Sequence, residues 1–143
     1  MKNILIPVDG SDYSIKAIEA GKQIAEAFDS SVTILNVIPI ELSRGMGRGN
    51  FMYVPSVTDE MPDFSEQILK SAKKPFEGTN ITVKTASKQG NIADIIVDYA
   101  HQNDMDLVVM GSHGLGALKN RLMTGSVTTR VLHHIDIPVL VIK

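Results

Sequence analysis

The chain contains no cysteine, which excludes disulfides, thiolate metal sites and a cysteine nucleophile. It has no surplus of positive charge: 14 Lys and Arg against 16 Asp and Glu leave a net charge of −2, where a nucleic-acid-binding surface usually shows a basic excess. No apolar run approaches the length of a membrane span, and the first residues enter a strand pattern without the segments of a signal peptide. The expectation is a cytoplasmic protein with no nucleic-acid or membrane partner. Internal repeats, low-complexity tracts and linkers are missing as well. What remains is an ordinary globular composition, 43% apolar, 21% charged and 5% aromatic, in 143 residues. That length suits one domain, 1–143, burying on the order of 70% of its unfolded surface.

The most informative stretch runs from Leu107 to Thr129. Leu107-Val108-Val109-Met110 is short, apolar and β-branched, the pattern of a buried strand. Gly111, Gly114 and Gly116 follow, then Gly125-Ser126; glycines let the chain turn and bring its backbone close to a ligand. From there the pattern predicts a helix, with Ser126 as N-cap and Val127, Val131 and Leu132 on its apolar face. A strand, a glycine loop and a helix start suit a phosphate. The first N–H groups of a helix lack intrahelical acceptors, and the dipole favours negative charge there by roughly 0.3–1 kcal/mol. A plain strand-to-helix connection would use the same residues. Neither G-x-x-x-x-G-K-[ST] nor G-x-G-x-x-G is present.

The rest of the chain alternates strand and helix. Residues 3–8 predict a first strand covered on both faces, ending in Asp9-Gly10-Ser11. A carboxylate in that position either meets a ligand or serves, with Ser11, to cap the next helix. That helix is expected over 12–28, with Ile15, Ile18, Gly21, Ile24, Ala25 and Phe28 inward. A second strand is expected over 32–38. Residues 40–62, with three glycines, Pro55 and Pro62, lack periodicity and form a long connection, either a lid or an insertion, in which Arg44 and Arg48 are candidates for phosphate contact. A helix over 63–76 follows, with Phe64, Ile68, Leu69 and Ala72 inward, and then an alternating edge strand over 81–85. Asn91 caps a helix whose face is Ile92, Ile95, Ile96, Tyr99 and Ala100, and 137–142 is a last strand. Five strands alternating with four helices predict an α/β doubly wound domain.

These segments resemble the universal stress protein family. Gly111-Ser112-His113-Gly114 and Gly125-Ser126 are similar to the G-x-x-G and G-[ST] halves of the motif in its ATP-binding members, with ten residues, Leu115 to Thr124, where the family has nine. The opening 4–11, Gly90-Asn91-Ile92-Ala93-Asp94, Asp106-Leu107-Val108-Val109-Met110-Gly111 and the closing I-P-V-L-V-I are also similar, so the resemblance covers the whole chain. It implies a five-stranded, mostly parallel sheet in the order 3-2-1-4-5 with helices on both faces. It further implies ATP, or AMP or ADP, as ligand, with Mg2+ held mainly by the phosphates and water. In the implied site Asp9 reaches the ribose, Pro7, Val8 and Val37 line the adenine pocket, and Met110 and Gly111 border the sugar. Gly114, Gly125, Ser126, Val127 and Thr128 surround the phosphates. A homodimer through the C-terminal strand, Val139–Ile142, is implied too, and the extra spacer residue is expected to form a bulge near Thr124.

Chemistry beyond binding has little support in the residues. His133 and His134 are adjacent and so do not share a helix face, and His101 reads as a solvated helix end. No H-x-x-x-H or carboxylate cluster suggests a protein-built metal site. His113 stands beside Ser112 without an evident third group, and Lys119 and Arg121 either offset phosphate charge or lie on the surface. Three functions stay open: a dimeric nucleotide-binding stress or signalling module, a slow ATPase or self-phosphorylating protein, and a protein-interaction module without nucleotide.

Overall fold

A computed structural model describes residues 1–39, 54–113 and 125–143. In chain order its elements are β1 (Asn3–Pro7), α1 (Asp12–Phe28), β2 (Ser31–Pro39), α2 (Val54–Lys73) with a 3-10 turn at Lys74–Phe76, β3 (Val83–Gly90), α3 (Ile92–Gln102), β4 (Leu107–Gly111), α4 (Ser126–His134) and β5 (Val139–Ile142). The strands pair in parallel in the order β3-β2-β1-β4-β5. This is the doubly wound α/β domain expected, with the winding reversing between β1 and β4.

β1 is apolar from Ile4 to Ile6 because both of its faces are covered there. Ile4, Leu5 and Ile6 are each 0% exposed. Ile4 and Ile6 pack with Ala17, Ile18 and Ala25 of α1 and Leu69 and Ala72 of α2. Leu5 faces the other way, into Ala93, Ile96 and Ala100 of α3, Val108 of β4 and Val131 of α4. Gly21 lets α1 settle on the sheet, since a Cβ there would stand 2.4 Å from Ile6 Cδ1. At the amino end, Asp106 accepts the Lys2 and Asn3 N–H groups at 2.8 and 2.9 Å, tying the entry of β1 to that of β4.

Several sequence expectations shift. Residues 54–62 are helical rather than part of the long connection, so α2 begins nine residues early, at Val54. Pro55 is its second residue, where a missing N–H costs nothing, and Pro62 is absorbed in the interior at the loss of one i→i−4 bond. Its buried positions are Ser65, Leu69 and Ala72, continued by Phe76, whereas Phe64 is 57% exposed. The stripe turns on a serine, whose hydroxyl lies 2.7 Å from that of Ser87 on β3. On α1, Ile15 and Phe28 are exposed: Ile15 stands about 100° round the helix from buried Ser14, and Phe28 is the last residue. β3 runs Val83–Gly90, not 81–85, without clean alternation, and β5 covers only the last four residues of 137–142. The expected roles of Arg44 and Arg48 lie outside the described residues.

Candidate functional site

Parallel sheets of this kind bind ligands beyond the carboxyl ends of their strands, at the point where the winding reverses. Here that point is shared by two strand-to-helix turns, one leaving β1 and one leaving β4.

The β1 turn is built from side chains. Asp9 Oδ1 accepts the Ser11 N–H at 2.9 Å and the Ser14 hydroxyl at 3.2 Å. Ser11 caps α1, accepting the Ser14 N–H at 3.3 Å. Gly10 takes φ +85°, a left-handed conformation that suits glycine, against Ile68 of α2. Ser11 therefore does cap the helix, and Asp9 braces that cap from a fixed, half-buried place. Behind it, Asn36 is 6% exposed and donates its carboxamide to the Val8 carbonyl at 2.8 Å. Pro7 is half-buried, and Val8, Val37 and Met110 are buried, Val37 and Met110 together in the core under α3.

The β4 turn is built from backbone. Gly111 sits against the start of α1, where a Cβ would stand 2.6 Å from Tyr13 Cβ and 2.9 Å from its carbonyl carbon. No other residue fits there without moving a helix. The Ser112 N–H donates to the Ile142 carbonyl at 2.7 Å, and the Ser112 carbonyl accepts the Gly125 N–H at 2.9 Å. Thr128, 2% exposed, donates its hydroxyl to the Gly111 carbonyl at 3.0 Å. Gly125, not Ser126, is the N-cap of α4; it makes no side-chain cap bond, and Ser126 is the first helical residue. A Cβ on Gly125 would meet the Ser112 oxygen at 3.0 Å, so any larger residue there makes the Ser112 carbonyl give by a few tenths of an ångström. Ser126 is exposed and Val127 half-buried, on the first turn of α4, where N–H groups have no intrahelical acceptors. Gly114, Lys119, Arg121 and the expected bulge near Thr124 lie outside the described residues.

The two turns meet through aromatic contact. The Tyr13 ring lies 5.1 Å from the His113 ring, His113 Nδ1 is 2.9 Å from the Ser112 hydroxyl, and Lys16 Nζ stands 5.7 Å from the Tyr13 centroid. Among the described residues no group of three or more His, Asp or Glu is placed to hold a metal ion. None of their helices is long and apolar enough to cross a membrane. Asn36, Ser14 and Tyr13 were not anticipated as parts of the site. A signal existed for Asn36, the single amide in the apolar run of β2. Nothing in the spacing marks Tyr13, which matters through Gly111.

A helix start without a side-chain cap, backbone brought close at Gly111 and Gly125, and a fixed carboxylate across the switch point form a set that fits a phosphorylated nucleoside. The sequence profile of the universal stress protein family matches residues 1–143. A universal stress protein of Methanocaldococcus jannaschii is 34% identical over 143 residues, covering 99% of this chain and 82% of its own. The universal stress protein UspA from Lactobacillus plantarum superposes with a TM-score of 0.83 at 26% identity, over 99% of this chain and 97% of that one. A universal stress protein from Archaeoglobus fulgidus, solved in complex with dAMP, shares the fold with a TM-score of 0.74 at 20% identity, over 100% of this chain and 98% of that one.

Proposed function

The chain belongs to the universal stress protein family, and we propose that it binds an adenine nucleotide, ATP foremost, across the ends of β1 and β4 as a signalling module. The observation that carries this reading is the start of α4. It has no side-chain cap and no acidic residue in its first turn, whereas α1 and α3 are capped by Ser11 and Asn91 and carry Asp12 and Asp94 there. An anion is the natural complement of such a terminus. In this reading the phosphates lie on the Ser126 and Val127 N–H groups with Gly114 and Gly125 alongside, and Asp9 takes the ribose. Adenine rests by Pro7, Val8 and Val37, while Met110 and Gly111 border the sugar. Mg2+ is held by the phosphates and water. The dAMP complex of the Archaeoglobus fulgidus protein supports the adenine class.

The same reading includes a twofold dimer through Val139–Ile142. β5 is a sheet edge with Leu140 38% exposed, the kind of edge soluble proteins cover. Mass spectrometry of gently purified protein under native conditions tests the ligand, followed by calorimetry with ATP, ADP and AMP. Co-purified adenine nucleotide or micromolar binding is expected. Absence of binding at millimolar nucleotide sinks the reading and leaves a module that works through protein contacts. Phosphate release well above a no-protein control would make it a slow ATPase instead.

A further inference from the structure

We infer that Thr128 is a positioning residue of this site: its buried hydroxyl ties the end of β4 to the first turn of α4, and so fixes where the Ser126 and Val127 N–H groups stand before any ligand arrives. The inference rests on the nucleotide reading above. Thr128 is 2% exposed, and its Oγ1 lies 3.0 Å from the Gly111 carbonyl and 3.4 Å from that of Ser112. A hydroxyl has one proton to give, and it is given to the end of β4. The Ser112 carbonyl also accepts the Gly125 N–H at 2.9 Å, and the Ser112 N–H is anchored on Ile142 at 2.7 Å. These bonds run in sequence from the edge strand through β4 to the first turn of α4. Thr128 supplies the only side chain among these three bonds, the other two being backbone.

Two consequences follow from that geometry. The carbonyls of Gly111 and Ser112 are turned toward α4 and engaged, so their lone pairs are held away from an incoming phosphate. The Gly125 N–H is likewise engaged, which leaves phosphate contact to the N–H groups after it. A helix start fixed in this way loses little conformational freedom on binding, the general route by which a preformed site gains affinity. Thr128 thus acts through the first turn of α4.

The test compares Thr128→Val, which keeps the shape and removes the donor, with Thr128→Ser, which keeps the donor. Calorimetry reads ATP and adenosine binding, and NMR hydrogen exchange reads the Gly125 amide in ligand-free protein. Expected for Thr128→Val are about tenfold weaker ATP binding, adenosine binding within about twofold of wild type, and Gly125 exchange faster by about tenfold or more. Thr128→Ser should restore most of the ATP affinity. Unchanged ATP affinity in Thr128→Val overturns the inference while leaving the nucleotide reading intact. So does equal loss for ATP and adenosine, failure of the serine variant to rescue, or lost ATP affinity with unchanged Gly125 exchange, which would mark a direct contact. If the valine variant does not fold, ligand-free wild type decides: a Gly125 amide exchanging at free-chain rate overturns the inference. Wild type that binds neither ligand sinks the nucleotide reading, and this role with it.

Discussion

Helices α1 and α4 both start at the carboxyl edge of the sheet, on neighbouring strands, yet their first turns are finished in opposite ways. The start of α1 is closed by its own side chains: Ser11 caps it, Asp9 accepts the Ser11 N–H, and Asp12 puts a carboxylate in the first turn. The start of α4 has glycine at the cap, no side-chain cap bond and no acid. One terminus has its positive end answered from within the chain. The other has no such answer from its own side chains, and it is there that the proposed nucleotide would set its phosphates. With glycine at the cap, α4 forgoes only about a few tenths of a kcal/mol relative to Ser, Thr, Asn or Asp at that position. What separates the two starts is the missing side-chain cap bond and the missing acid on α4, and it shows by contrast with the terminus beside it.

The contrast breaks most completely if α4 is given what α1 has. Ser126→Asp places a carboxylate in the first turn of α4, where it stabilises the helix by about 0.3–1 kcal/mol. The same charge repels phosphate. Calorimetry should find ATP affinity lowered by about 100-fold, or ~2.7 kcal/mol, in a protein that melts no lower than wild type. Affinity unchanged by this substitution would mean the phosphates lie elsewhere.

A smaller effect is expected where the two turns touch. Gly111→Ala puts a methyl 2.6 Å from Tyr13 Cβ and 2.9 Å from its backbone carbonyl carbon, so α1 must move off β4. Overpacking of this kind costs typically about 1–3 kcal/mol, readable as a lower urea midpoint. Gly10→Ala tests the other turn for a different cause: its Cβ meets nothing closer than 3.6 Å, but φ is +85°, so about 1 kcal/mol of backbone strain is expected. Equal behaviour of Gly111→Ala and wild type would show that the turns are not packed as described.

Ser11 and Ser126 sharpen the comparison at about 1 kcal/mol. Ser11→Ala removes a cap and should lower stability by about that amount, whereas Ser126→Ala removes no cap bond and should stay within about 0.5 kcal/mol of wild type. A reversed order in chemical denaturation would contradict the assignment of Gly125 as the N-cap.

Ser126 also shows where the sequence was readable and where it was not. The limits of α1 and the Asn91 cap were legible, because side-chain caps are local and written in residue type. β1, β2 and β4 were legible as buried apolar runs. The start of α2 was hidden, since Pro55 and Pro62 interrupt the apolar period that reveals a helix. The second half of β3 was hidden because an edge strand is held by backbone bonds to β2 from Val83 to Gly90, with little demand on its side chains. Serine before an apolar period suggested a cap at Ser126; the true cap is the glycine before it, fixed by the carbonyl of Ser112, a partner thirteen residues away. The destination of the Thr128 hydroxyl and of the Asn36 carboxamide is long-range in the same sense. Residue type announces that a donor exists, and only the fold says which carbonyl receives it.

The smallest effect lies at the opposite end of the same two strands. Asp106 holds the entries of β1 and β4 together, and the Asn3 and Lys2 N–H groups it accepts keep its carboxyl below the usual aspartate range, with burial opposing weakly and the N-terminal and Lys2 charges assisting. A carboxyl depressed by folding contributes stability that is fully present above its unfolded pKa, about 3.9. That contribution is lost as pH falls through the lower folded value. Asp106→Asn keeps an acceptor and removes the charge. Because the group is exposed, the variant should be less stable by no more than about 1 kcal/mol at pH 7. The gap should narrow progressively below about pH 4 as the wild-type carboxyl takes up its proton. Urea midpoints of both proteins at pH 7 and pH 3 measure it. A gap of equal size at both values would mean that the Asp106 charge contributes nothing.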